Sequence, residues 1–163
     1  MKRHDGATAI EFAFLAIPFF LIIIGTIELS LMAASAYVLQ GAVSDAARLV
    51  RTGQIQQAQA DPEGMFFEAL CDHASVLLNC DNLQYSVEPL DSFANAAQPD
   101  IDEDGNLQDA VFNPGGSKEV VLIRAAYRYS LMTPVIGSIF SDYSGNIRLL
   151  LSTIVLETEP YEF

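Results

Sequence analysis

The chain has 163 residues, and its 8 Lys and Arg against 21 Asp and Glu give a formal charge of −13. So acidic a surface repels phosphates, which excludes a nucleic-acid-binding role and disfavours anionic lipid headgroups as a ligand of the soluble part. With 51% hydrophobic residues at this length, there is room for one membrane helix and one small domain.

The N-terminus reads as a short basic leader, residues 1–6, with Lys2 and Arg3, then a Gly6–Ala7 junction, Glu11 and an apolar run. An acid this close to the start of a membrane segment is expensive unless it has a partner. Cutting after Gly6 creates one, the α-ammonium of Ala7, which stands at i and i+4 with Glu11 on a helix. The amine of a neighbouring copy could serve the same carboxylate. No charge occurs from Phe12 to Ile27, and the apolar character continues through Leu39. About 20 such residues cross a hydrocarbon core of about 30 Å, so residues 12–34 are the expected span. Pro18 inside it is a candidate kink, which membrane helices tolerate.

Glu28 lies about 24 Å along the axis from Phe12, near the far interface. Two readings stay open for it: an interfacial acid reaching water, or a helix–helix contact bonded to a partner helix. Lys2 and Arg3 precede the helix, and the next basic residue is Arg48. The positive-inside rule then puts the N-terminus in the cytoplasm and the rest outside it. Ala34-Ser35-Ala36 offers a signal-peptidase site, which would release a soluble protein starting at Tyr37. Against that, a signal h-region is about 7–15 residues, and this run is longer and bracketed by Glu11 and Glu28.

An apolar stripe of Val43, Ala46, Ala47 and Val50 carries the helix to about Arg51, where Thr52-Gly53 is a stop signal. The division expected is leader 1–6, membrane helix and stalk 7–53, and an extracytoplasmic head 54–163. A Gln-rich connector, residues 54–60, leads to Asp61-Pro62-Glu63, a helix-start pattern. Phe66, Phe67, Leu70, Ala74, Leu77 and Leu78 form that second helix's expected core face. Cys71 and Cys80 fall outside the cytoplasm, where a pair in a small domain is usually a disulfide. Nine positions on a straight helix rise about 13 Å, so the helix must end before Cys80 for the bond to form. Free buried thiols are the other reading.

Residues 83–90 alternate as a strand, residues 91–117 read as a long Asp/Asn/Gly/Pro-rich loop, and residues 119–132 read as a strong strand. Val121, Ile123, Ala125, Tyr127 and Tyr129 occupy one face of the latter. After a turn at Thr133-Pro134 and a short segment to Tyr143 comes a final strand, residues 147–158. The fold class is α+β: a long N-terminal helix, a short helix and an antiparallel sheet of about three strands.

The acidic loop contains Asp100, Asp102 and Asp104 followed by Gly105, the D-x-D-x-D-G opening of an EF-hand loop. The twelfth position, where a bidentate Glu closes the shell, is Val111, and no amphipathic helix flanks the loop. Ca²⁺ binding there stands beside a solvated acidic loop with no ligand. No other cofactor is expected. No catalytic constellation is visible: His4 is in the leader, His73 has no evident nucleophile, and there is neither a Gly-rich phosphate loop nor a Zn pattern. A non-enzymatic role follows.

The run from Gly6 to Phe12 (GATAIEF), with Ile27-Glu28-Leu29 beyond, resembles the TadE-like family of tight adherence (Flp) pilus systems. The stretch from Ser44 to Arg51, the two central cysteines and an ending that closes on Glu159-Pro160-Tyr161 are similar to that family too. The resemblance implies a pseudopilin-like, single-pass subunit of the bacterial inner membrane. It implies cleavage at Gly6–Ala7 by a prepilin-type peptidase, pairing of Glu11 with the new Ala7 amine, and lateral packing of membrane helices. The implied partners are that peptidase, other pilin or pseudopilin subunits and the tight adherence assembly platform. Main fibre subunits of such systems are much shorter, which points to a minor or accessory component. A membrane-anchored binding module, its acidic loop gripping Ca²⁺ or a surface ligand, is the alternative.

Overall fold

A computed structural model describes residues 5–58 and 60–161, with side chains from Ile10 onward. The first helix, α1 (Asp5–Arg51), runs without a break through Pro18. Its upper half has Leu39, Ala42, Val43, Ala46, Ala47 and Val50 buried, the three- and four-residue spacing of one helix face. The helix stops where the sequence predicts. Gly53 adopts a left-handed φ of 78°, open to glycine without a Cβ penalty, and its N–H donates to the Val50 carbonyl at 3.1 Å.

A single turn, α2 (Gln54–Gln57), buries Ile55 and sets the chain to return. The next helix, α3 (Pro62–Ala74), has its start signals satisfied: Asp61 accepts a hydrogen bond from the Gly64 N–H at 2.8 Å, and Pro62 occupies the first turn. It packs against α1 through Phe66, Leu70 and Ala74, one residue per turn. Two members of the expected core face differ. Leu77 is exposed because α3 has already ended at Ala74, and Phe67 is only half-buried, one position off the buried stripe, with its ring 5.9 Å from that of Tyr85. The ending at Ala74 lets the chain fold back, and Cys80 is joined to Cys71 with their Cα atoms 5.7 Å apart.

Strands β1 (Leu83–Leu90), β2 (Val120–Ser130) and β3 (Ile147–Glu157) form an antiparallel sheet in the order β1-β2-β3. Its register aligns Val87 with Ile123 and Ile123 with Ile154, so one face presents a continuous apolar layer to α1 and α3. The Phe66 ring sits against Tyr85 and Phe112 at 5.5 and 5.6 Å. Tyr85 reaches the rim, where its hydroxyl donates to Glu63 at 3.0 Å. Burial, then the Glu63 carboxylate, push that phenol up to about 12.

Residues 91–117 line the edge of β1 and the β1–β2 half of the sheet's other face, while Leu151 of β3 stays exposed. Val87 exchanges hydrogen bonds with Val111 and Asn113 at 2.8 and 2.7 Å, so the segment protects the β1 edge. Leu107 N–H donates to Gln84 at 2.6 Å. The Arg124 side chain, on the covered face of β2, pairs with Glu88 at 2.8 Å and donates to the Ala97 carbonyl at 2.7 Å. Between β2 and β3 lies a helix the sequence does not reveal, α4 (Pro134–Phe140).

The C-terminal end ties sheet to stalk. Thr158 is buried, exchanging hydrogen bonds with Glu119, and the next residue's N–H donates to the Arg51 carbonyl at 2.8 Å. Arg51 and Glu159 also pair through their side chains at 3.6 Å, at the C-terminal end of α1 where a cation is favoured.

Replacing both Cys71 and Cys80 by Ser is expected to lower the unfolding free energy by about 2–3 kcal/mol, the loop-closure value for so short a ring. Urea denaturation of the full chain in detergent, followed by circular dichroism, measures it.

Candidate functional site

Among the described residues, one helix is long and apolar enough to cross a membrane, with a mean hydropathy of 2.4 in its most apolar stretch. That part of α1 has almost no cover inside the chain: Phe12, Phe14, Ile17 and Ile22 are 65–76% exposed. Lipid or other helices must cover such a surface. The hydroxyls within it are satisfied by the helix itself. Thr26 Oγ1 donates to the Ile22 carbonyl and Ser30 Oγ to the Thr26 carbonyl, both at 2.7 Å.

At its lower end, Gly6 and Ala7 lie in the first turns of α1, and Glu11 is exposed on the same continuous helix. The helical backbone puts positions 7 and 11 one turn apart. Lys2, Arg3 and His4 of the expected leader lie outside the described residues, as do the side chains at the expected cleavage junction. The Ala34-Ser35-Ala36 stretch sits in mid-helix with no break in the backbone.

Within the chain, Glu28 faces the connection between β2 and β3. It is 3% exposed, and its carboxylate accepts hydrogen bonds from the backbone N–H groups of Met132 and Thr133, the latter at 3.1 and 3.2 Å to its two oxygens. One turn below, the Ile136 side chain lies over Gly25. A Cβ there would stand 2.8 Å from Ile136 Cδ1, so the absence of a side chain permits the close approach. The connection between β2 and β3 is thus clamped onto α1 by a charge-assisted acceptor and an apolar contact. Sequence reasoning singled out Glu28 but not this partner. A signal existed: the segment from Leu131 to Ser141 has no charged residue and is rich in apolar ones.

The remaining candidates are local. Asp102 accepts from the N–H groups of Asp104 and Asn106 at 2.9 and 2.7 Å and from the Asn106 side chain at 2.9 Å, an Asx-type turn that shapes the loop. Those bonds, the Asn106 N–H first and its side-chain amide second, hold the Asp102 carboxyl below the usual range. Among the described residues, no three His, Cys, Asp or Glu side chains converge as a metal site. His73 Nδ1 lies 3.0 Å from Asp45, linking α3 to α1.

Residues 6–48 match the family model described as TadE-like protein, so this stretch of the chain is similar to that family. No curated protein and no solved structure matches the chain. The TadE-like family is associated with tight adherence pili and is generally non-enzymatic. The matched stretch takes in the uncovered half of α1, Gly25 and Glu28, and ends where the helix is already in the core of the head.

Glu28→Ala leaves the N–H groups of Met132 and Thr133 without their acceptor. Hydrogen exchange at these two amides should rise about 10- to 100-fold, the equivalent of a charge-assisted bond, while amides of β2 change little. Glu28→Gln, which keeps one acceptor oxygen, should fall between.

Because the Asp102 carboxyl is depressed in the folded chain, its stabilising effect is present above the ordinary Asp value of about 3.9 and is lost as pH falls through the lower folded value. The Asn106 amide resonance should titrate with a midpoint below that ordinary value. Asp102→Asn should abolish the titration and leave the turn in place at neutral pH.

Proposed function

We propose that this TadE-like chain is a minor pseudopilin-like subunit that acts in building a tight adherence pilus. The observation that carries the reading is the coincidence of the TadE-like match, beginning at Gly6, with a helix whose apolar lower half has no cover of its own. A helix that is uncovered for about half its length must be solvated by a bilayer first and can exchange lipid for neighbouring helices later.

The mechanism has four steps. The basic leader retains the N-terminus in the cytoplasm while the head is exported across the inner membrane. A prepilin-type peptidase hydrolyses the Gly6–Ala7 peptide bond. The new α-ammonium of Ala7 neutralises Glu11, in its own helix or in the helix of a neighbouring subunit. Lateral packing of membrane helices then seats the acidic head among other pilin or pseudopilin subunits on the assembly platform. The pairing of Ala7 and Glu11 matters most at this stage. A carboxylate facing hydrocarbon is costly, and a subunit that offers the counter-charge is selected over one that does not.

The test is the N-terminal sequence and intact mass of the protein purified from its own membranes. A mature chain starting at Ala7 is expected, and Glu11→Val should be processed normally yet fail to support pilus formation. A mature start at Met1 would instead favour an anchored binding module, and one at Tyr37 a secreted domain.

A further inference from the structure

We propose that the β2–β3 connection, from Leu131 to Phe140, is a second membrane contact that dips into the lipid leaflet on the head's side of the bilayer. The inference goes beyond pilus assembly and rests on α1 spanning a membrane. Three observations converge on it. The first is depth. Gly25, under Ile136, lies about 20 Å along the axis from Phe12 and Glu28 about 24 Å, so in a hydrocarbon core of about 30 Å beginning at Phe12 both contacts fall about 6–10 Å inside the far border. The clamp therefore holds α4 at the level of the acyl chains, not above them.

The second is chemistry. Met132, Val135 and Ile139 are 75, 51 and 68% exposed, an apolar tip with no cover inside the chain. No charged residue occurs between Arg128 and Asp142. An immersion of about 5–10 Å is typical of interfacial apolar segments. The third is the rim. Directly behind the tip, Arg148 pairs with Asp142 at 2.8 Å and also reaches the Phe140 carbonyl at 3.4 Å, so the first charges stand where the segment returns to the sheet. An Arg at that height suits the phosphate layer. Lipid acyl chains are the occupant that fits, because the same bilayer that covers the exposed face of α1 continues over the tip without a gap.

The chain has no tryptophan, which makes single-Trp reporters unambiguous. The full chain is reconstituted as Ile139→Trp, Val135→Trp, Ile17→Trp and Val76→Trp in phosphatidylcholine vesicles with bromine on the acyl chains. Val76 is 74% exposed just beyond α3, close to the His73–Asp45 link and about 25 Å above Glu28 along α1. Ile139→Trp and Val135→Trp should emit to the blue of aqueous tryptophan and lose most of their emission to bromine, as Ile17→Trp in the span does, while Val76→Trp keeps its emission. Quenching of Ile17→Trp with water-like, unquenched emission at 135 and 139 overturns the second contact and leaves the span standing. Blue-shifted but unquenched emission there means a protein surface covers the tip and overturns the lipid assignment, as does equal quenching of Val76→Trp. No quenching at Ile17→Trp removes the span and the proposal with it.

Discussion

One helix has to satisfy two solvents, and the rest of the structure follows from that constraint. In α1, the residues from Leu39 to Val50 are core of the head, packed against α3 and the sheet, while those from Phe12 to Ile24 are almost wholly exposed. No loop separates the two regimes. The head cannot complete its core without the upper half of α1. The strands, the disulfide-closed turn after α3 and the returning C-terminal end all gather around that half.

The boundary between the regimes is where polar groups are most costly, and there the chain supplies its own partners. The hydroxyls of Thr26 and Ser30 bond back to the helix, and the Glu28 carboxylate is met by two backbone N–H groups from the β2–β3 connection. Each is satisfied without water, as a low-dielectric environment requires. Glu28 is thus a different kind of acid from Glu11, which is exposed.

What the sequence made legible was what periodicity and punctuation encode. The extent of α1, the Asp61-Pro62 start of α3, the three strands and the Cys71–Cys80 closure each rest on residue types at fixed spacing. Residues 91–117 read as a bare loop because their role as a cover is carried by backbone bonds to Val87 and by Gln84 and Arg124. Such contacts leave no repeat in the covering segment. The helix α4 has fewer than two turns and is apolar on several sides, so no 3.6-residue pattern separates it from a turn. The partner of Glu28 was hinted at only by the uncharged, apolar run from Leu131 to Ser141. That partner is a pair of main-chain N–H groups, which most residues could have offered.

The unbroken backbone from Gly6 to Arg51 also means that the head has no swivel. Each residue of an α-helix turns the chain by about 100°, so the azimuth of the acidic head about the helix axis is fixed relative to each face of the lower half of α1. Anything that selects one face of the lower helix thereby aims Asp102, the edge strand β3 and the C-terminal end in one compass direction. The clamp at Gly25 and Glu28 removes the remaining play by holding the sheet to the shaft at a second height. The chain behaves as a crank: any contact made on the lower half of α1 decides where the head points.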